Sequence, residues 1–78
     1  MSRFFFHLRG GGLHFDDPTG TDCRDPREAR QFAVKLARDL AAEEIDGRHF
    51  PPATFVEVED EELRPVFTLP LQVGVSER

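Results

Sequence analysis

The stretch Arg3-Phe4-Phe5-Phe6-His7-Leu8-Arg9-Gly10-Gly11-Gly12-Leu13-His14-Phe15-Asp16 decides the fold. Phe4, Phe6 and Leu8 fall on one side of a period-two pattern, and Arg3, Phe5, His7 and Arg9 fall on the other. That alternation describes a strand with one packed face. Glycine reaches positive φ without a Cβ clash, so the triple glycine is where the chain reverses. Setting Gly10 and Gly11 at the two turn positions predicts a hairpin in which Leu8 faces Leu13, Phe6 faces Phe15 and His7 faces His14. A pairing shifted by one residue sets Leu8 against His14 and mixes the faces.

Beyond the hairpin, Asp16-Asp17-Pro18-Thr19-Gly20-Thr21-Asp22 is turn chemistry and reads as a loop. Asp25 then reads as a helix N-cap, Pro26 as the first helical residue and Glu28 as the reciprocal partner in a capping-box-like arrangement. Ala29, Phe32, Ala33, Leu36 and Leu40 recur at three- and four-residue steps and form one apolar stripe. Asp46-Gly47 closes the helix, since Gly47 suits the left-handed position after a helix end. Pro51-Pro52 makes the following stretch a connection.

Residues 54–59 alternate again, with Val56 and Val58 opposed to Phe55, Glu57 and Glu59. Residues 65–71 place Phe67, Leu69 and Leu71 on a common face. A turn at Glu61-Glu62 sets Val56 opposite Phe67 and Glu59 opposite Arg64 as a cross-strand ion pair. Pro65 and Pro70 mark this last strand as an edge, because proline cannot donate to a ladder.

The expected fold is therefore α+β, a ββαββ unit. Counted in chain order, its strands form a four-stranded antiparallel sheet of order 2-1-3-4 with one helix on one face. Residues 1–72 make one domain and residues 73–78 fray. The expected core is Phe4, Phe6, Leu8, Leu13, Phe15, Phe32, Leu36, Leu40, Val56, Val58, Phe67 and Leu69. The uncovered face carries Phe5, His7, His14, Phe55, Glu57, Glu59 and Val66.

With 78 residues, such a core is thin and calls for outside support. One cysteine excludes an internal disulfide, which suits a reducing cytoplasm and leaves oligomerisation or a metal as the support. A net charge of -5 repels phosphate backbones, so nucleic-acid binding is disfavoured. No apolar run approaches the roughly 20 residues needed to span a bilayer, and the Phe4-Phe5-Phe6 run stops too soon for a signal-peptide core. The expectation is a cytoplasmic protein with no membrane association.

Phe5 and Phe55, aromatic and outward-facing on central strands, are the main anomaly of this pattern. With His7, His14 and Val66 they outline an interaction surface for a second copy or another protein. The two histidines, with Glu57 as the nearest acid, are the only weak metal candidates. A zinc site wants four ligands, or three and a water, and Cys23 and His49 lie on connections. A small-ligand or metal binder using His7 and His14 is the alternative function.

The acidic residues around Pro18 and Gly20 lack the spacing of a calcium loop. The glycine run precedes a strand, not the helix N-terminus a phosphate loop needs. Cys23, just before a helix, sits where a thiol pKa can fall. No Ser-His-Asp order, cysteine pair or carboxylate dyad is present. The expectation is a non-catalytic protein without a cofactor.

The opening string Arg3-Phe4-Phe5-Phe6-His7-Leu8-Arg9, the glycine-rich turn, Asp17 and Gly20 carry a resemblance. So do the helix opening from Asp25 to Ala29 and Pro65-Val66-Phe67-Thr68-Leu69-Pro70-Leu71. The chain resembles a domain-of-unknown-function family of short bacterial proteins that begin with an Arg-aromatic-Phe-Phe-His-Leu string. The second turn, Asp60-Glu61-Glu62-Leu63, lacks the glycine such turns often carry, and Leu71 stands where an aromatic is common. The resemblance implies no catalytic residue, cofactor or substrate.

Overall fold

The computed structural model describes residues 1–45 and 53–71. The elements run β1 (Ser2–Gly10), β2 (Leu13–Phe15), β3 (Thr21–Cys23), α1 (Pro26–Ile45), β4 (Phe55–Glu59) and β5 (Pro65–Pro70). The fold is α+β, an antiparallel sheet with one helix. The sheet path is β2-β1-β4-β5, and β3 pairs with β1 off that path. The four strands expected from the periodicity are joined by a fifth, β3, from a stretch read as loop. Thr21-Asp22-Cys23 is too short to display an alternation of its own, so its strand geometry comes from pairing with β1, Ser2 opposite Cys23 and Phe4 opposite Thr21. The helix end at Asp46-Gly47, the connection with Pro51-Pro52, His49 and the tail 73–78 lie outside the described residues.

The first hairpin turns one residue later on each side than the expected register. Leu8 pairs with Phe15, Arg9 with His14 and Gly10 with Leu13, so Gly11 and Gly12 are the central residues. Their φ values of 58° and 87° suit a type I′ turn, whose twist matches that of the flanking strands. Both two-glycine turns keep Leu8 and Phe15 on one face, so polarity could not choose between them. Gly10 decides it. Its φ is 118°, and a Cβ there would lie 2.5 Å from the Ala53 carbonyl oxygen, so the strand passes that carbonyl only as glycine.

Along β1 from Leu8 to Phe4, four steps are matched by six on the opposite chain, from Phe15 to Thr21. The two surplus residues loop out around Pro18, and the ladder is interrupted at Phe6. Asp17 bridges the gap: its Oδ2 accepts the Phe6 N–H at 3.1 Å, while its Oδ1 accepts the N–H groups of Thr19 at 3.2 Å and Gly20 at 3.0 Å. A carboxylate thus stands in for a missing strand carbonyl.

The second hairpin is longer than the two-residue turn expected. Val56 pairs with Leu69 and Val58 with Phe67, then the register shifts so that Glu59 pairs with Pro65. Val66 is the surplus residue of this bulge. It packs against the core cluster on the helix side, not on the open face as the alternation implied. Asp60 builds the loop: its carbonyl accepts the Leu63 N–H at 2.9 Å, and its Oδ1 accepts the N–H groups of Glu62 at 2.9 Å and Arg64 at 3.0 Å. Leu63 takes φ 64° at the position glycine usually fills. Arg64 pairs with Asp60 and Glu62, not with Glu59.

Helix α1 opens as its caps dictate. Asp25 Oδ1 accepts the Glu28 N–H at 2.9 Å, while the Glu28 carboxylate turns one residue further back, to the Arg24 N–H at 2.6 Å. Ala29, Ala33 and Ala37 are buried, and these small side chains let the helix sit close to the sheet. It packs across β3, β4 and β5, over Val56 and Val58, which are fully buried. Burying a valine contributes about 1.5–3 kcal/mol, so this pair anchors the layer. Phe4, Phe6, Cys23 and Leu71 complete the core. Phe15 and Phe32, expected inside, are 56% and 38% exposed, because the helix covers the β4–β5 side of the sheet and leaves β2 uncovered.

Candidate functional site

The β1 part of the open sheet face is covered by the chain itself. The segment 16–20 leaves the β2 edge and folds over β1. Gly20 lies so close above Phe5 that a Cβ would approach its ring to 2.9 Å. His7, expected to be surface-exposed, is 5% exposed. Its Nδ1 accepts the Asp17 backbone N–H at 3.1 Å, and its Nε2 lies 2.9 Å from Glu59 Oε1. A backbone N–H can only donate, so Nδ1 carries no proton in this arrangement and Nε2–H donates to Glu59. The Phe5 ring stacks parallel to His7 at 6.4 Å between centroids.

The remaining polar groups of this face satisfy one another. Arg9 reaches Asp16 Oδ1 at 2.7 Å and Glu57 Oε1 at 3.2 Å. The hydrogen bond from Arg9 holds the Asp16 carboxyl below its ordinary pKa, opposed by desolvation and reinforced by the charges of His14 and Arg9. His14 is not directly opposite His7. It pairs across the ladder with Arg9, and its side chain is 3.4 Å from Asp16 and largely exposed. Phe55 is half-buried, with Arg9 and Pro70 as its strand neighbours.

The five residues expected to form one exposed surface are therefore distributed differently. Phe5 and His7 lie beneath the 16–20 segment, Phe55 is beside Arg9, His14 is at the rim and Val66 is on the other side of the sheet. Both His7 nitrogens are engaged within the protein. Among the described residues no group of three or more His, Cys, Asp and Glu side chains is arranged to hold a metal ion. Cys23 is buried in the core. Burial pushes its thiol pKa up, and the charges of Glu28, Asp22 and Asp25 add to the shift, the opposite of the lowering that a position just before a helix can bring.

Apolar surface is instead exposed on the helix side. A groove of about 270 Å³ runs between α1 and β2, walled by Phe6, Leu8 and Phe15 of the sheet and Phe32, Leu36 and Leu40 of the helix. The Phe6 and Phe32 rings meet at 4.7 Å and 58° at its base. On the opposite flank of the helix, Arg30 lies 5.5 Å above the Phe67 ring and shields it from water. The two flanks differ in that respect: one aromatic is covered by a guanidinium, while Phe15 and Phe32 are left open. The stripe of helical periodicity signalled Phe32, but its exposure depends on where the helix lies on the sheet, which periodicity does not report.

Among the described residues no helix is long and apolar enough to cross a membrane. Residues 3–72 match the family model described as Domain of unknown function (DUF6894). The chain belongs to that family. No curated protein and no solved structure matches it.

Proposed function

We propose that this member of a family without an assigned function is a small, non-catalytic interaction module whose contact surface is the apolar flank between α1 and β2. The observation that carries this reading is the exposure of Phe15 and Phe32 beside a groove with six apolar walls. Two other aromatics are covered: Phe5 lies under Gly20, and Phe67 lies under Arg30. Large exposed aromatics on an otherwise polar domain mark a site where water is displaced by a partner. The partner is a protein, either another copy or a different chain. A charge of -5 argues against nucleic acid, and a lone buried thiol suits the cytoplasm.

Non-catalytic action is supported by the polar cluster itself. His7, Arg9, Asp16, Asp17, Glu57 and Glu59 spend their hydrogen-bonding capacity on one another and on the backbone, which is how a structural network is built. The same engagement weighs against His7 as a ligand or metal donor.

A photoreactive benzoylphenylalanine placed at Phe32, and separately at Gln31 on the polar side of the helix, tests the proposal in cells. Position 32 is expected to give a discrete cross-linked protein adduct on illumination that position 31 does not. Absence of any adduct at position 32 would remove the basis for an interaction role.

A further inference from the structure

We infer that His7 is a proton-operated latch for the 16–20 segment: the neutral ring holds the segment against β1, and the protonated ring releases it. The latch lies on the sheet face and works whatever meets the α1/β2 flank. Its Nδ1 accepts the Asp17 N–H at 3.1 Å, and its Nε2 stands 2.9 Å from Glu59 Oε1. Turning the ring over would put a carbon at each of these positions, so the two contacts fix one neutral tautomer. An added proton can go only to Nδ1, where it points at the Asp17 N–H. Two donors cannot share one hydrogen bond. Glu59, on the other side, gains from a positive ring, so the conflict is confined to Asp17.

The surroundings supply what the protonated ring needs. A buried imidazolium requires a counter-charge, and Glu59 provides it from β4. Glu57, the ladder partner of His7, is engaged by Arg9 at 3.2 Å. On the covering segment, Asp16 Oδ1 lies 3.7 Å from Nδ1, within a small movement of accepting the new N–H. Asp16 also takes Arg9 at 2.7 Å, and His14 of β2 lies 3.4 Å from its Oδ2. It directly precedes the peptide N–H that must leave. Trading the Asp17 N–H for the Asp16 carboxylate therefore swings that peptide away from β1. Asp17 carries with it the carboxylate that ties Phe6, Thr19 and Gly20 together, which loosens the cover over Phe5. The far end stays tethered, because Arg3 holds the Thr19 carbonyl at 2.7 Å and Asp22 at 3.3 Å without involving His7. Asp17 also lines the α1/β2 groove, so its release changes the wall of that flank.

Histidines take up their proton between about pH 8 and about pH 5, so the segment is latched at the upper end of that range and released at the lower. Proton–nitrogen correlation spectra of the intact protein, recorded from about pH 8 to about pH 5.5, read the ring nitrogens and the backbone amides together. His7 Nδ1 is expected to gain a proton. With the same midpoint, the Asp17 amide is expected to lose its hydrogen-bonded shift and about tenfold of its exchange protection, as the loss of one hydrogen bond implies. His7→Gln, whose side chain does not titrate, is expected to leave the Asp17 amide unresponsive, with far-UV circular dichroism confirming the fold. His14→Gln is expected to keep the wild-type transition. An Nδ1 that takes up its proton while the Asp17 amide stays protected overturns the latch, as does an Nδ1 still bare at the lower end. An Asp17 response that persists in His7→Gln, or vanishes in His14→Gln, assigns it to another group and overturns it too. Should His7→Gln fail to fold, the wild-type comparison of Nδ1 with the Asp17 amide decides alone.

Discussion

His7 and Asp17 clasp each other across the β1 edge: the imidazole Nδ1 accepts the Asp17 backbone N–H, and Asp17 returns to β1 by accepting the N–H of the adjoining Phe6 through its carboxylate. The pair fixes the 16–20 segment at the point where β2 gives way to β3. Asp17→Ala would leave the N–H groups of Phe6, Thr19 and Gly20 without their acceptor. Leaving a buried donor unsatisfied costs about 1–3 kcal/mol, and of the three only Phe6 is in a buried residue. A loss of about 2 kcal/mol in urea denaturation is expected. Accelerated hydrogen exchange should be concentrated at Phe6 and Gly20. A variant as stable as wild type would show that water replaces the carboxylate without penalty.

The glycines of the first turn differ in what they require. At Gly12, φ is 87° and no atom lies within 4 Å of an added Cβ, so Gly12→Ala meets backbone strain alone, about 1–2 kcal/mol. Gly10→Ala meets comparable strain together with the Ala53 carbonyl at 2.5 Å. It is expected to destabilise the domain by at least about 2 kcal/mol more than Gly12→Ala, measured side by side by thermal unfolding. Equal effects would place the β1–β4 approach further apart than described.

Leu63 is 65% exposed and holds φ 64°, so its side chain gives little in return for a strained backbone. Leu63→Gly relieves about 1–2 kcal/mol of left-handed strain and adds roughly 0.5–1 kcal/mol of unfolded-state freedom. The net gain is about 0.5–1 kcal/mol, or a rise in Tm of about 2–8 °C for a domain of this size. An unchanged or lower Tm would mean that Leu63 makes a contact that offsets the strain.

Hydrogen bonds from the backbone N–H groups of Arg64 and Glu62, aided by the Arg64 charge and opposed by desolvation, hold the Asp60 carboxyl below its ordinary pKa. Asp16 is lowered too, chiefly through its hydrogen bond with Arg9. A carboxyl with a depressed folded-state pKa contributes stability above its unfolded value of about 3.9, and loses it as pH falls through the folded value. Wild type should therefore lose stability between about pH 5 and pH 2. Asp60→Ala should be less stable at pH 7 and should converge on wild type toward pH 2. Parallel Tm curves across that range would exclude Asp60 as a contributor to the acid transition.

Much of the fold was legible because it is written in periodicity. Phe4-Phe6-Leu8 and Val56-Val58 alternate cleanly, and Asp25-Pro26 states where the helix starts, so strand partners and helix entry followed. Among the features that escaped are registers that compete with another of the same parity. A shift of two residues leaves every side chain on its face, so Leu8 opposite Leu13 and Leu8 opposite Phe15 look alike to a polarity argument. The contact between Gly10 and Ala53 that separates them joins residues far apart in the chain.

The candidate site was less legible. Phe5 looks unpartnered when residues 16–22 are taken as a plain loop, whereas Asp17 turns that segment back over β1. The true apolar exposure, at Phe15 and Phe32, depends on the helix lying toward β5, and the small Ala29-Ala33-Ala37 face allows that placement without announcing its direction.

The two surplus residues that split β2 from β3 also bear on what the protein does when crowded. An incoming strand needs an uninterrupted row of backbone donors and acceptors, and here the outer border of the sheet is cut into two three-residue fragments around Pro18. At the far border, Pro65 and Pro70 remove donors from the ends of β5. Neither border of the folded sheet can seed a fibril readily, so the folded domain can tolerate high local concentrations without polymerising through its sheet edges.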